Sequence, residues 1–174
     1  PMTARLIHAA SEASADQLYA SEFFAPDPFL FLQESTGRTH LVTSILEVDR
    51  AKRSARVDQI WDWERIREDY LSQQLQTADK NPDHKPGEKG LIVFFLQQRQ
   101  INQVTVPGDF PLALADHLRE AGLIVTPAKE AFWPQREIKT PKEVTAIETA
   151  LEITGQGMAA GIDHIRAAEI GPDG

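Results

Sequence analysis

Phe132-Trp133-Pro134-Gln135-Arg136-Glu137-Ile138-Lys139-Thr140-Pro141-Lys142-Glu143-Val144 is the stretch on which the reading turns. Its second half holds a full set of helix-start signals. Thr140 can accept a backbone N–H as N-cap. Pro141 suits the first helical position, where its fixed φ helps and its missing N–H is not needed. Glu143, three residues after the cap, can reach back to close a capping box. Beyond it Val144, Ile147, Leu151, Met158, Ile162 and Ile165 recur at intervals of three, four and seven, one apolar stripe of a helix. Within that helix Gly157-Met158-Ala159-Ala160-Gly161 offers small residues for close packing, or a place to fray. The first half, with no period, reads as a connector. A body of chain is therefore expected to close near Lys139, with a helix from Thr140 to Ile170 following it.

Upstream, strand and helix signals alternate. Ala4 to Ala10 reads as a first strand, and Ser14 with Asp16 to Tyr19 as a short helical turn. Phe23-Phe24-Ala25-Pro26-Asp27-Pro28 is a loop, because two prolines two residues apart forbid helix and central-strand pairing. Phe29–Gln33 and His40–Thr43 around Thr36-Gly37-Arg38 make a hairpin signal. A helix with a basic solvated face is expected over Ile45–Arg56, a short strand over Val57–Trp61, and a helix over Trp63–Gln76. Thr77 to Gly90 is the most polar stretch and reads as a surface loop. Leu91–Arg99 fits a buried strand or helix by period. Gln97 to Gln100 extend it with good helix formers, which favours helix. Asn102–Val106 reads as a strand ended by Pro107-Gly108. Pro111 then opens a helix carrying Leu114 and Leu118, Gly122 caps it, and Leu123–Val125 is a last short strand. This alternation defines an α/β class, and the hairpin argues for a mixed sheet.

The chain has 174 residues, with 41% apolar and 25% charged side chains, the balance of a globular domain. Its net charge of −8 argues against nucleic acid as a partner, since phosphate binding needs an excess of Lys and Arg. There is no cysteine, which excludes disulfides, thiol nucleophiles and cysteine-held metals and fits a cytoplasmic location. The longest apolar run, Leu91 to Leu96, is too short to span a bilayer, and no signal-peptide pattern opens the chain.

Chemistry-bearing motifs are sparse. His8, His40, His84, His117 and His164 form no local metal motif, and no nucleophile elbow or phosphate-binding loop occurs. Gly87-Glu88-Lys89-Gly90 lacks phosphate-loop spacing and reads as a turn before an apolar element. The carboxylates Asp62, Glu64, Glu68 and Asp69 share their stretch with Arg65 and Arg67, as solvated ion pairs would. Arg50, Lys52, Arg53 and Arg56 read as a solvated helix face.

The stretch quoted first resembles the junction segment of the creatinase/prolidase family in Arg136, Lys139, Thr140, Pro141, Glu143 and Val144. Tyr19 to Asp27, Leu41-Val42-Thr43-Ser44 with Glu47 and Arg50-Ala51-Lys52, Val104-Thr105-Val106-Pro107, and Phe110-Pro111 are also similar to that family's N-terminal domain. The resemblance implies a three-layer αβα domain over residues 1–139. It implies that residues 140–174 are the linker and first helix of a pita-bread catalytic domain. Xaa-Pro aminopeptidases and dipeptidases of this family use two divalent metal ions (Mn, Co or Zn), held by two Asp, one His and two Glu. None of the acidic or histidine residues here matches those ligands, so no catalytic or metal residue is expected in this chain. Phe24 and Asp27 are the substrate-contact candidates for a complete enzyme, against a plainer reading as a buried aromatic and a turn aspartate. The expected partners are a second copy of the chain, through the apolar stripe, and a peptide substrate only in a complete parent. The alternatives are a non-catalytic interaction module or a creatinase-type amidinohydrolase parent.

Overall fold

Alternating apolar side chains build the strands, and each strand sends one set of residues to each face. The computed structural model describes residues 3–76, 86–169 and 171. Its strands are β1 (Ala4–Ala9), β2 (Phe29–Gln33), β3 (Thr39–Thr43), β4 (Gln59–Asp62), β5 (Gln103–Val106) and β6 (Ile124–Pro127). They form one sheet in the order β4-β3-β2-β1-β5-β6. Among the described strands β2 alone runs against its neighbours, pairing antiparallel with β1 and β3, while every other pairing is parallel. The sheet is mixed, and the hairpin β2–β3 is the reason. Gly37 turns it at φ +91°, a left-handed conformation that glycine adopts without a Cβ clash, and Glu34 N donates to Arg38 O across the turn at 2.8 Å.

Helices cover both faces. Leu6, Leu30, Leu32, Val42, Val104 and Val125 point to one side, beneath α3 (Trp63–Gln76), α4 (Glu88–Gln97) and α5 (Leu112–Glu120). Ile7, Phe29, Phe31 and Leu41 point to the other, toward α1 (Ala15–Ser21), α2 (Ile45–Ser54) and the Phe132-Trp133 segment. This is the three-layer αβα arrangement. Burying each such side chain is worth about 1.5–3 kcal/mol, so the two faces together supply most of the driving force.

Several boundaries differ from the sequence expectation, each for a local reason. The Gly87-to-Gly90 end of the expected loop is helix: Gly87 is the N-cap and α4 begins at Glu88. The loop's residues 77–85 lie outside the described residues, as do His84 and Ile170. Pro111 is the N-cap of α5, one position earlier than the first-turn place expected. β6 begins at Ile124 because the Leu123 N–H is taken by Leu118 O in the cap of α5, where Gly122 sits at φ +88°. β4 begins at Gln59 because Asp58 is occupied with Thr39. Its carboxylate accepts from the Thr39 N–H (2.7 Å) and hydroxyl (2.8 Å), which hold it below the usual carboxylate range.

The chain divides into two compact units, residues 1–133 and 134–174. The second holds a 3-10 turn, Pro134–Glu137, and α6 (Pro141–Ala167). Its N-terminus is built as the sequence specifies. Thr140 Oγ1 accepts from Glu143 N at 3.3 Å, and Glu143 Oε2 accepts from Thr140 N at 2.8 Å, closing the capping box. The helix continues through Gly155, Gly157 and Gly161 without a break, and none of its residues is buried.

Candidate functional site

An open sheet of parallel strands leaves a crevice at their carboxyl ends, where the crossover connections part. β1, β3, β4, β5 and β6 all point to that end. Antiparallel β2 starts there, so topology delivers the Phe23–Pro28 loop to the carboxyl-end edge of the sheet.

The loop backbone is pinned on both sides. Phe23 is fully buried, edge-on to Phe29 at 5.4 Å. Arg50 of α2 lies 4.5 Å over the Phe23 ring and donates to Phe24 O at 2.5 Å, while its other contact is the ion pair with Glu47. Ser11 Oγ accepts from Ala25 N at 2.7 Å and donates to Ala25 O at 3.3 Å. With Phe23 directed inward, the next side chain must point out. Phe24 is 54% exposed, and Asp27 is exposed on the same loop. Ile45 and Leu46, at the start of the helix that carries Arg50, are also exposed, Leu46 at 88%. Phe24 is thus an outward-facing aromatic on a held backbone, not a core residue.

Beside this edge a groove of about 1080 Å³ runs along α4, lined by His8, Pro28, Tyr70, Phe94, Leu114 and His117 among others. His8 Nε2 lies 2.6 Å from Glu88 Oε1, and this hydrogen bond holds the Glu88 carboxyl below its usual range. The pair joins the end of β1 to the first turn of α4 across 80 positions, and no sequence motif announces it.

The remaining charged clusters serve structure. Asp62 Oδ1 accepts from Arg65 N at 2.8 Å, capping α3, and Glu64 pairs with Arg67 at 2.5 Å. On α2, Lys52 lies 3.9 Å from Asp49, and Arg56 reaches Glu22 at 3.0 Å. Among the described residues no three His, Asp or Glu side chains converge where a metal ion could sit. The described residues therefore offer no set that fits a dinuclear metal centre, and no metal-dependent step is assigned to them.

No protein-family model matches the sequence, and no curated protein matches it. Solved structures do match its fold. X-Pro aminopeptidase from Thermotoga maritima MSB8 superposes with a TM-score of 0.70 at 18% identity, over 95% of this chain and 42% of its own. Prolidase from Pyrococcus furiosus gives 0.65 at 14% identity, over 93% and 39%. A proline dipeptidase from Streptococcus pneumoniae TIGR4 gives 0.51 at 14% identity, over 79% of this chain and 89% of that one. The chain has the fold of these proline-peptidase structures and spans about two fifths of the first two.

Proposed function

We propose that this chain is the non-catalytic N-terminal domain of an Xaa-Pro aminopeptidase or dipeptidase. Residues 1–139 would form the domain, and residues 140–174 the link into, and first helix of, the metal-binding domain. The observation that carries the reading is the asymmetry of the fold match: nearly all of this chain, but about 40% of the X-Pro aminopeptidase and prolidase chains. The junction signature from Arg136 to Val144 supports it, since it opens the second compact unit, two residues past its start at Pro134.

In that role the domain walls one side of the active site and helps build the oligomer. Phe24 and Asp27 are its substrate-facing residues, carried on the loop that Arg50 and Ser11 hold. In a complete enzyme the apolar stripe on α6 would rest against the rest of the metal-binding domain; in this chain alone it is the proposed association surface, because exposed apolar side chains in register are covered in a finished assembly. No described helix is long and apolar enough to cross a membrane, and a cytoplasmic setting is part of the proposal. The two divalent metals belong to the partner domain. The purified chain, supplied with Mn²⁺, Co²⁺ or Zn²⁺ and proline-containing peptides, is expected to show no turnover. Metal-dependent cleavage above a blank would overturn the non-catalytic assignment.

A further inference from the structure

The apolar stripe of α6 lies in water along its whole length. Val144, Ile147, Leu151, Met158, Ile162 and Ile165 are between 41% and 75% exposed, and no residue of the helix is buried. Their spacing keeps them on one face, and it has a second property. The six positions are symmetric about a point between Thr154 and Gly155. Val144 and Ile165 lie equally far from it, as do Ile147 and Ile162, and Leu151 and Met158. Such a stripe is complementary to its own reverse. Laid antiparallel on a second copy, every large apolar side chain of the stripe meets another. A twofold contact requires a surface of this self-complementary kind.

The centre of the stripe suits close approach. Between Leu151 and Met158 the face carries only Thr154 and Gly155. The Thr154 hydroxyl donates to Ala150 O at 2.8 Å, so its hydrogen is satisfied within the helix and its methyl group is left for packing. The space beside Gly155 and Gly161 is open, and the missing side chains let two backbones come together.

Spacing alone would also allow a parallel pair, in which each stripe residue meets its own copy. Charge separates the two arrangements. Glu148 and Arg166 border the stripe on one side, and Glu143 borders it on the other. Parallel helices bring opposite borders together, so Glu143 of each copy would face Glu148 of the other. Antiparallel helices bring like borders together. Glu148 then shares a border with Arg166 of the second copy, about 7 Å along the axis, within reach of two long side chains. Arg166 stands 3.5 Å from Asp163 in its own helix, and its guanidinium has donors for both carboxylates.

We propose that α6 pairs antiparallel with α6 of a second copy, about a twofold axis between Thr154 and Gly155. Val144 then meets Ile165, Ile147 meets Ile162, and Leu151 meets Met158. The inference rests on the reading of the stripe as the association surface of this chain, and adds the partner, its direction and its register.

The chain has no cysteine, so Leu151→Cys and Met158→Cys each introduce a single thiol at an exposed position. The two variants are mixed in equal amounts and oxidised, and the linked dimers are separated by mass. The antiparallel pair sets position 151 opposite 158, and holds 151 about 10 Å along the axis from its own copy, too far for a disulfide. Mixed L151C–M158C dimers are therefore expected well above the roughly one half that random pairing gives. Glu148→Lys, which puts two cations on one border, should weaken the dimer about threefold by sedimentation. A unit that stays monomeric at high concentration would overturn both this arrangement and the association surface. A dimer that links like with like or at random, or that E148K tightens, would overturn the arrangement alone.

Discussion

The first unit and the helix of the second treat their apolar side chains in opposite ways. Leu6, Ile7, Leu30, Phe31 and Leu32 occupy the middle of a sheet covered on both faces, and Phe31 is 1% exposed. α6 carries an equally regular stripe, yet Val144, Ile147, Leu151, Met158, Ile162 and Ile165 are all exposed, Leu151 at 66%. Both patterns are unmistakable in sequence. The difference shows that periodicity fixes which side chains share a face, and only a partner surface decides whether that face leaves water.

Truncating the core should give the largest effect. Phe31→Ala removes a ring that stacks edge-on against Trp133 at 6.2 Å and should cost about 3–5 kcal/mol, read as a fall in the urea midpoint. A loss below about 1 kcal/mol would mean that this face of the sheet is not the packed layer described.

A smaller effect is expected from pH, and it should be confined to the first unit. Burial is the main reason that the pKa of His40 lies below its ordinary 6.5. The unfolded chain therefore takes up the proton first as pH falls. Stability from a neutral His40 is full above about pH 6.5 and is lost as pH drops through the lowered folded value. The His40 ring-proton signals should titrate below 6.5, and stability should decline over the same window. A titration at or above 6.5 would contradict the buried, neutral ring.

The cap of α6 should matter less, and only locally. Thr140→Ala should cost the helix about 1 kcal/mol, seen as faster amide exchange in its first turns with no change in the sheet. Global destabilisation would show that the two units unfold as one.

The smallest effect sharpens the comparison most. Leu151→Ala should change the stability of the monomer by no more than about 0.5 kcal/mol. If the stripe is an association surface, the same change should lower the mass seen by light scattering at high concentration. A core-sized loss of stability together with an unchanged monomeric mass would place the stripe in a packed environment within one chain and remove the oligomer proposal.

Local signals in the sequence were sufficient for several elements. The α6 start, the Gly37 hairpin, α3 over Trp63–Gln76 and the helical choice for α4 each rest on hydrogen bonds, turn chemistry or periodicity spanning a few residues. The class of the sheet followed from their alternation. Tertiary structure alone decided that Phe23 is buried and Phe24 exposed, because that choice belongs to Arg50 and Phe29, contacts outside the loop. It alone paired His8 with Glu88, and placed His40 between Glu34 and Trp61. A side chain's partner depends on which strands become neighbours. That order is set by the burial of whole faces, and no short window of sequence records it.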